Sequence, residues 1–187
     1  MMPHFGRAGL VAAGIFTLAC GGPKAQPPLT PAERLNAEAL RRLERGDDLG
    51  AEAMMKGALK EAELVDDLVG EAEAWNNLGA LAMARGNARE AWASHATALS
   101  LHQATGKRAL GEVRTRSNLG SALLGVGKVA EAKAQFEEAI RLAERLENPR
   151  AGRLARVGLA AALLANGDAA GARALAETAV RPAGSPD

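Results

Sequence analysis

Apolar residues in this chain recur at intervals of three and four, and short polar clusters interrupt them at regular distances. From Ala72 to Leu99 the sequence AEAWNNLGALAMARGNAREAWASHATAL reads as two apolar helices joined at Arg85-Gly86-Asn87. That spacing is expected of two amphipathic helices packed antiparallel. Trp75, Leu78, Gly79, Ala82, Ala91 and Ala98 sit where such helices touch closely. Upstream, Thr30-Pro31-Ala32-Glu33 predicts a helix start: a hydroxyl at the N-cap, proline at N1 and a glutamate at N3. Leu35, Ala39 and Leu43 follow at intervals of four, and Gly46-Asp47-Asp48 stops the helix with a left-handed glycine and an Asp to cap the next one. Asn87-Ala88-Arg89-Glu90 reads as a second capping box. No alternating or β-branched run predicts a strand.

The stop signal returns. Gly46, Gly86, Gly127 and Gly167 lie 40, 41 and 40 residues apart. Five residues after each stands Ala51, Ala91, Ala132 or Ala172, and seven further on Ala58, Ala98, Ala139 or Ala179. Between those alanines come Met55, His95, Phe136 and Ala176, at the position that inserts into the next unit. Self-similarity at such a period predicts a solenoid of stacked helix pairs.

W-x-x-L-G before the glycine turn, then A-x-x-x-[apolar]-x-x-A after it, resembles the tetratricopeptide repeat. Trp75-Asn76-Asn77-Leu78-Gly79 carries the motif best. Ser117-Asn118-Leu119-Gly120 with Ala132, Phe136 and Ala139 follows it closely. The fourth unit keeps Leu159, Ala160, Leu163 and Gly167, while the first has Glu38 and Arg42 where Leu and an aromatic are usual. The resemblance implies an all-α, right-handed α-solenoid of four helix-turn-helix units over 31–181, at about 31–70, 71–111, 112–151 and 152–181. The period exceeds the family's usual length of about 34 by roughly six residues, or about 9 Å of helix. Leu59 to Leu68, Leu99 to Leu110 and Ile140 to Leu154 are expected to carry that extra helix, with turns at Thr105-Gly106 and Asn148-Pro149. The long form is similar to the repeats of kinesin light chains and their bacterial relatives. Arg181-Pro182 is expected to end the last helix, and 182–187 to be a disordered tail.

The first 19 residues have a secretory layout: Arg7, then an apolar run from Ala8 to Leu18, 11 residues long and too short to span a bilayer. Leu18-Ala19-Cys20 resembles the end of a bacterial lipobox, with Thr17 where Leu is usual. That implies cleavage before Cys20 and lipidation of Cys20. Ordinary secretion is the alternative, since Thr17-x-Ala19 also fits a small-x-small cleavage rule at the same bond, and a lone core cysteine is the third reading. Residues 20–30, rich in Pro and Gly, read as a flexible tether. Gly21 is not the Asp that retains enteric lipoproteins in the inner membrane, so the expected address is the outer membrane facing the periplasm; a soluble periplasmic or secreted protein is the alternative.

Composition sharpens the fold more than the function. Of 187 residues 48% are hydrophobic but only 3% aromatic, with no Tyr, so the core is Ala and Leu and the helices approach closely. The formal net charge of +1 offers no basic field for nucleic acid. The charge is segregated: Lys and Arg against Asp and Glu give 7 − 12 = −5 over residues 20–73 and 15 − 10 = +5 over 74–187. A solvated mixed surface and a docking face for an acidic partner both fit. His95 and His102, seven apart, lack the i,i+4 spacing of a metal pair, and His95 stands in the packing slot of Phe136. Gly120 to Lys128 has the lysine two residues too late for a phosphate loop. No G-x-S-x-G, H-E-x-x-H or C-x-x-C occurs. Neither an enzyme, a cofactor nor a metal is expected.

In the family the first helix of each unit lines the concave face. The register then implies a lining of Glu73, Asn76, Asn77, Ala80 and Met83, then Arg114, Ser117, Asn118, Ser121 and Leu124, then Leu154, Val157, Ala161 and Leu164. Asn77 and Asn118 are equivalent positions, where relatives pair an amide with a ligand's backbone; capping or bridging of local backbone is the other reading. Of the carboxylate-clamp positions used by chaperone-binding relatives, only Arg114 matches. The fourth unit is apolar on most faces and no polar capping helix follows it. Arg150, Arg153 and Arg156 with the last helix cover that end, or it docks on something. The expectation is a lipid-anchored adaptor of the bacterial envelope that holds a peptide or protein partner. Self-association through the apolar C-terminal unit is the alternative.

Overall fold

The computed structural model describes residues 28–106 and 109–180, with side chains through 177. The expected signal segment, Cys20, most of the tether and the C-terminal tail lie outside the described residues.

Eight helices follow one another: α1 (Pro31–Glu44), α2 (Asp48–Glu63), α3 (Leu68–Ala84), α4 (Ala88–Ala104), α5 (Leu110–Gly125), α6 (Val129–Arg145), α7 (Pro149–Ala165) and α8 (Ala169–Val180). They pair as four hairpins and build a right-handed solenoid; no strand occurs among the described residues. Each odd helix touches the next odd helix, whereas no even helix touches another even one. The odd helices therefore crowd together on the inner, concave side and the even helices splay outside.

Local chemistry fixes the turns. Thr30 and Glu33 form the expected reciprocal box, with Thr30 N donating to Glu33 Oε2 at 2.7 Å and Glu33 N to Thr30 Oγ1 at 3.1 Å. Asp47, Asn87 and Asp168 cap the second helices of their units. At Asn87 only half of the box forms, because Glu90 meets the Asn87 amide, Nδ2 to Oε2 at 2.7 Å, and not the N-cap backbone. Within each unit the helix reverses at Gly46, Gly86, Gly127 or Gly167, all with φ between 76° and 84°; a residue with Cβ is strained there. Between units the same left-handed conformation falls on Asp66 (φ 54°), Gly106 (φ 63°) and Glu147 (φ 50°). The expected helical runs across the unit boundaries are accordingly shorter: the outer helices end at Glu63, Ala104 and Arg145, and a tight turn follows each.

The core is thin and serial. Ala51, Ala58, Ala91, Ala98, Ala132 and Ala139 are completely buried, so the hairpins close on small side chains. The inserted position follows the register in the first three units, whereas Ala176 of the last unit, with no further unit after it among the described residues, is exposed. Met55 and Phe136 are buried among aliphatic side chains, and His95 is 1% exposed. Degenerate α1 uses its polar residues in ion pairs: Arg41 and Arg42 with Glu38, and Arg42 with Asp47. At α6 the N-cap is Lys128, which makes no capping bond. Its ammonium instead lies 4.5 Å from the centre of the Trp92 ring, a cation–π contact joining units two and three.

Candidate functional site

Two neighbouring columns of residues run across the concave layer. One holds Asn36, Asn76, Ser117 and Val157; the other holds Ala37, Asn77, Asn118 and Gly158. The asparagines join the first helices to one another. Asn77 Nδ2 donates to Asn36 Oδ1 at 3.2 Å, and Asn118 Nδ2 donates to Asn76 Oδ1 at 3.2 Å. Each amide of one unit thus reaches back to the acceptor of the unit before it.

The second rung has a third member. His95 Nδ1 lies 3.1 Å from Asn76 Oδ1. An amide oxygen only accepts, so Nδ1 carries the proton that the imidazole donates to Asn76 Oδ1. Burial pushes the His95 pKa down to about 4, as removal from water disfavours the cation. The ring occupies the space over Gly79, where an added Cβ would stand 2.6 Å from His95 Cε1. His102, further along the same helix, is also buried and its pKa is lowered by burial, with Glu112 opposing and Arg114 reinforcing the shift.

Between α5 and α7 the rung is missing. Ser117 Oγ turns to its own helix and donates to Val113 O at 3.0 Å, and Gly158 has no side chain to donate. The ring of Phe136 fills the place of His95, wedged between Gly120 and Gly158. A Cβ on Gly120 would lie 2.8 Å from Phe136 Cζ, and one on Gly158 would collide with the ring. A cleft of about 800 Å³ opens here on the concave side, walled by Leu110, Val113, Leu154 and Val157 and floored at Phe136 and Gly158. Its volume is in the range of ligand pockets. Arg114, Arg150, Glu73, Asn118 and Ser121 supply polar groups.

Of the lining expected from register, the cleft brings together Arg114, Ser117, Asn118, Ser121, Val157 and Ala161, with Glu73 and Leu154. Asn76 is a correction: it is 2% exposed, because its side chain turns into the seam with His95 and Asn118. Asn77 lies outside the cleft, bonded to Asn36. Met83 and Leu124 are half-buried against the core clusters of α4 and α6. Ala80 and Leu164 are exposed but away from the cleft, Leu164 at 59%. The asparagines therefore neither cap local backbone nor stand free: they tie unit to unit. Phe136, Gly158 and Arg150 enter the cleft without having been expected. The signal for Gly158 was its place in the Asn77–Asn118 column.

Among the described residues no group of three or more His, Cys, Asp or Glu could hold a metal, and no helix is long and apolar enough to cross a membrane.

A family model of the tetratricopeptide repeat matches residues 70–145. No curated protein matches the chain in sequence. Among solved structures, BtubC (BKLC) from P. vanneervenii superposes with a TM-score of 0.70 at 19% identity, over 87% of this chain and 72% of that one. The nearly identical TPR-like repeats of a candidate kinesin light chain from P. anserina superpose at 0.68 with 18% identity, over 84% and 81%. A Rap protein complexed with Competence and Sporulation Factor gives 0.69 at 17% identity, over 81% of this chain; this chain spans 43% of that protein and 55% of the similar RapI. At these identities the likeness is one of fold.

Proposed function

We propose that this chain, a tetratricopeptide-repeat protein, is a protein-interaction scaffold that holds an extended segment of its partner in the concave cleft between α5 and α7. The observation that carries the reading is the cleft itself, apolar, open and roughly 800 Å³, at the one seam of the concave layer where no side-chain bridge joins the helices among the described residues. Leu154 and Val157 face solvent at 66% and 58% exposure, and such apolar area on a surface is characteristic of an interaction site. One protein of the same fold is complexed with Competence and Sporulation Factor. The finer part of the reading rests on the sequence: a lipid on Cys20 would hold the scaffold at the envelope, with 20–30 as spacer.

Photo-cross-linking from intact cells followed by mass spectrometry tests the proposal. Leu154→Asp with Val157→Glu changes two exposed side chains, and such changes leave stability within about 0.5 kcal/mol. The variant should lose the cross-linked partner while its circular dichroism stays helical; a partner retained at wild-type yield overturns the reading. A cross-linked species that is a second copy of this chain supports self-association, the reading favoured by exposed Leu164.

A further inference from the structure

We propose that the seam between α5 and α7 is the specificity-determining pocket of the concave face, taking an aliphatic side chain of an extended acidic peptide whose neighbouring carboxylate is held by Arg114 and Arg150. The inference rests on the groove reading above and adds the chemistry of the ligand and the residues that select it.

The argument starts from three equivalent pairs. Asn76, His95 and Asn118 form a hydrogen-bonded clasp across the seam between α3 and α5. One repeat later the same three positions are Ser117, Phe136 and Gly158. Phe136 needs the glycine, since any Cβ at 158 meets its ring, and the glycine in turn removes the donor that would have closed the seam. The exchange of a polar clasp for an aromatic–glycine contact leaves an opening whose walls are aliphatic: Val113, Leu154, Val157 and Ala161. A side chain of the ligand that enters it gains by leaving water and loses no hydrogen bond.

The rim sets the charge. Arg114 and Arg150 line the cleft with one carboxylate, Glu73, so cations outnumber anions there. Neither arginine takes part in an ion pair among the described residues, whereas Arg116 and Arg156 beside them are paired with Glu112 and Glu144. The exposed column Ala80, Ser121 and Ala161 keeps a path of small residues along α3, α5 and α7. Adjacent helix axes lie about 8–10 Å apart, or about three residues of extended chain, so a ligand crossing three helices needs about seven to nine residues.

Fluorescence anisotropy with labelled peptides of about nine residues tests this. The probe is a Gly-Ser frame with a central Leu-Asp-Leu, and its controls carry Lys or Asn in place of Asp. The acidic probe should bind at least about tenfold more tightly than the Lys control, as expected when two cations lose their partner, and the difference should shrink at about 0.5 M salt. Arg114→Ala with Arg150→Ala should erase the preference. Ser117→Asn with Phe136→His and Gly158→Asn rebuilds the clasp and should abolish binding of all three peptides. Should that triple variant not fold, Ala161→Trp, at an exposed position, fills the cleft instead. Equal binding of the acidic and Lys probes overturns the inference but leaves the groove reading, and undiminished binding to both cleft-closing variants places the ligand elsewhere and overturns it too. No binding of any probe below about 1 mM also overturns it, while the cross-linking of Leu154→Asp with Val157→Glu decides the groove separately.

Discussion

His95 shows how one residue can be placed correctly on a helix and still have its chemistry settled by a neighbour. Its position in the repeat marks it as a core residue, and it is one; the Asn76 oxygen that fixes its tautomer comes from another helix. Its pKa is about 4 in the fold, against about 6.5 in an unfolded chain. The folded state therefore binds fewer protons than the unfolded state between these values, and stability falls as pH falls through that window. Full above about pH 6.5, it should drop by roughly 3 kcal/mol on reaching pH 4, from 2.5 units at 1.36 kcal/mol each. His102, lowered in the same direction, adds to the loss. Urea midpoints between pH 7.5 and 4.5 measure the fall, and the NMR shift of the His95 ring assigns it; an imidazole titrating near 6.5 in the folded protein removes the premise. Asn77 and Asn118 were legible as a repeated pair facing the inner layer. What they bond to was not, because register within a helix does not tell which of two adjacent side chains leans toward the preceding unit.

At the scale of the helix and its turns, most of the fold could be read in advance. Glycines at a fixed period, capping residues after them and alanines at close contacts each have one physical meaning. The inter-unit turns were harder to read. Asp66 and Glu147 take the left-handed conformation of Gly106. Asp tolerates it better than most side chains but signals it far less clearly than Gly, and Glu does not signal it, so the outer helices looked longer than they are. A side chain at such a φ costs about 1 kcal/mol. Asp66→Gly and Glu147→Gly should each stabilise the protein by about 0.5–1 kcal/mol, seen as a rise in Tm of about 2–3 °C. A fall in Tm for both would show that the acidic side chains stabilise the turns by more than the strain they impose.

Across the whole molecule the fold was legible because the same unit is written four times, and so was half of the cleft's lining, from Glu73 and Arg114 to Ala161. That the layer opens at the α5–α7 seam was not, because the opening arises where one unit departs from the others. Gly158 carries the departure by lacking a side chain, and a missing atom leaves little pattern in a sequence. The proposed attachment belongs to this scale too. Cys20→Ser should move the protein from the membrane to the soluble fraction of lysed cells, and a variant still sedimenting with membranes would show that something other than a lipid on Cys20 retains it. The asparagine rungs have one more consequence, a mechanical one. A solenoid deforms like a spring, and its stiffness at each coil depends on what crosses from one coil to the next. Units one to three are cross-braced on the inner side; among the described residues no such bridge reaches unit four there, and apolar contact resists separation but permits sliding. Any load between the two ends, from a partner or from the tether, would concentrate its strain at the α5–α7 joint, and whatever lodges in that joint would stiffen the coil.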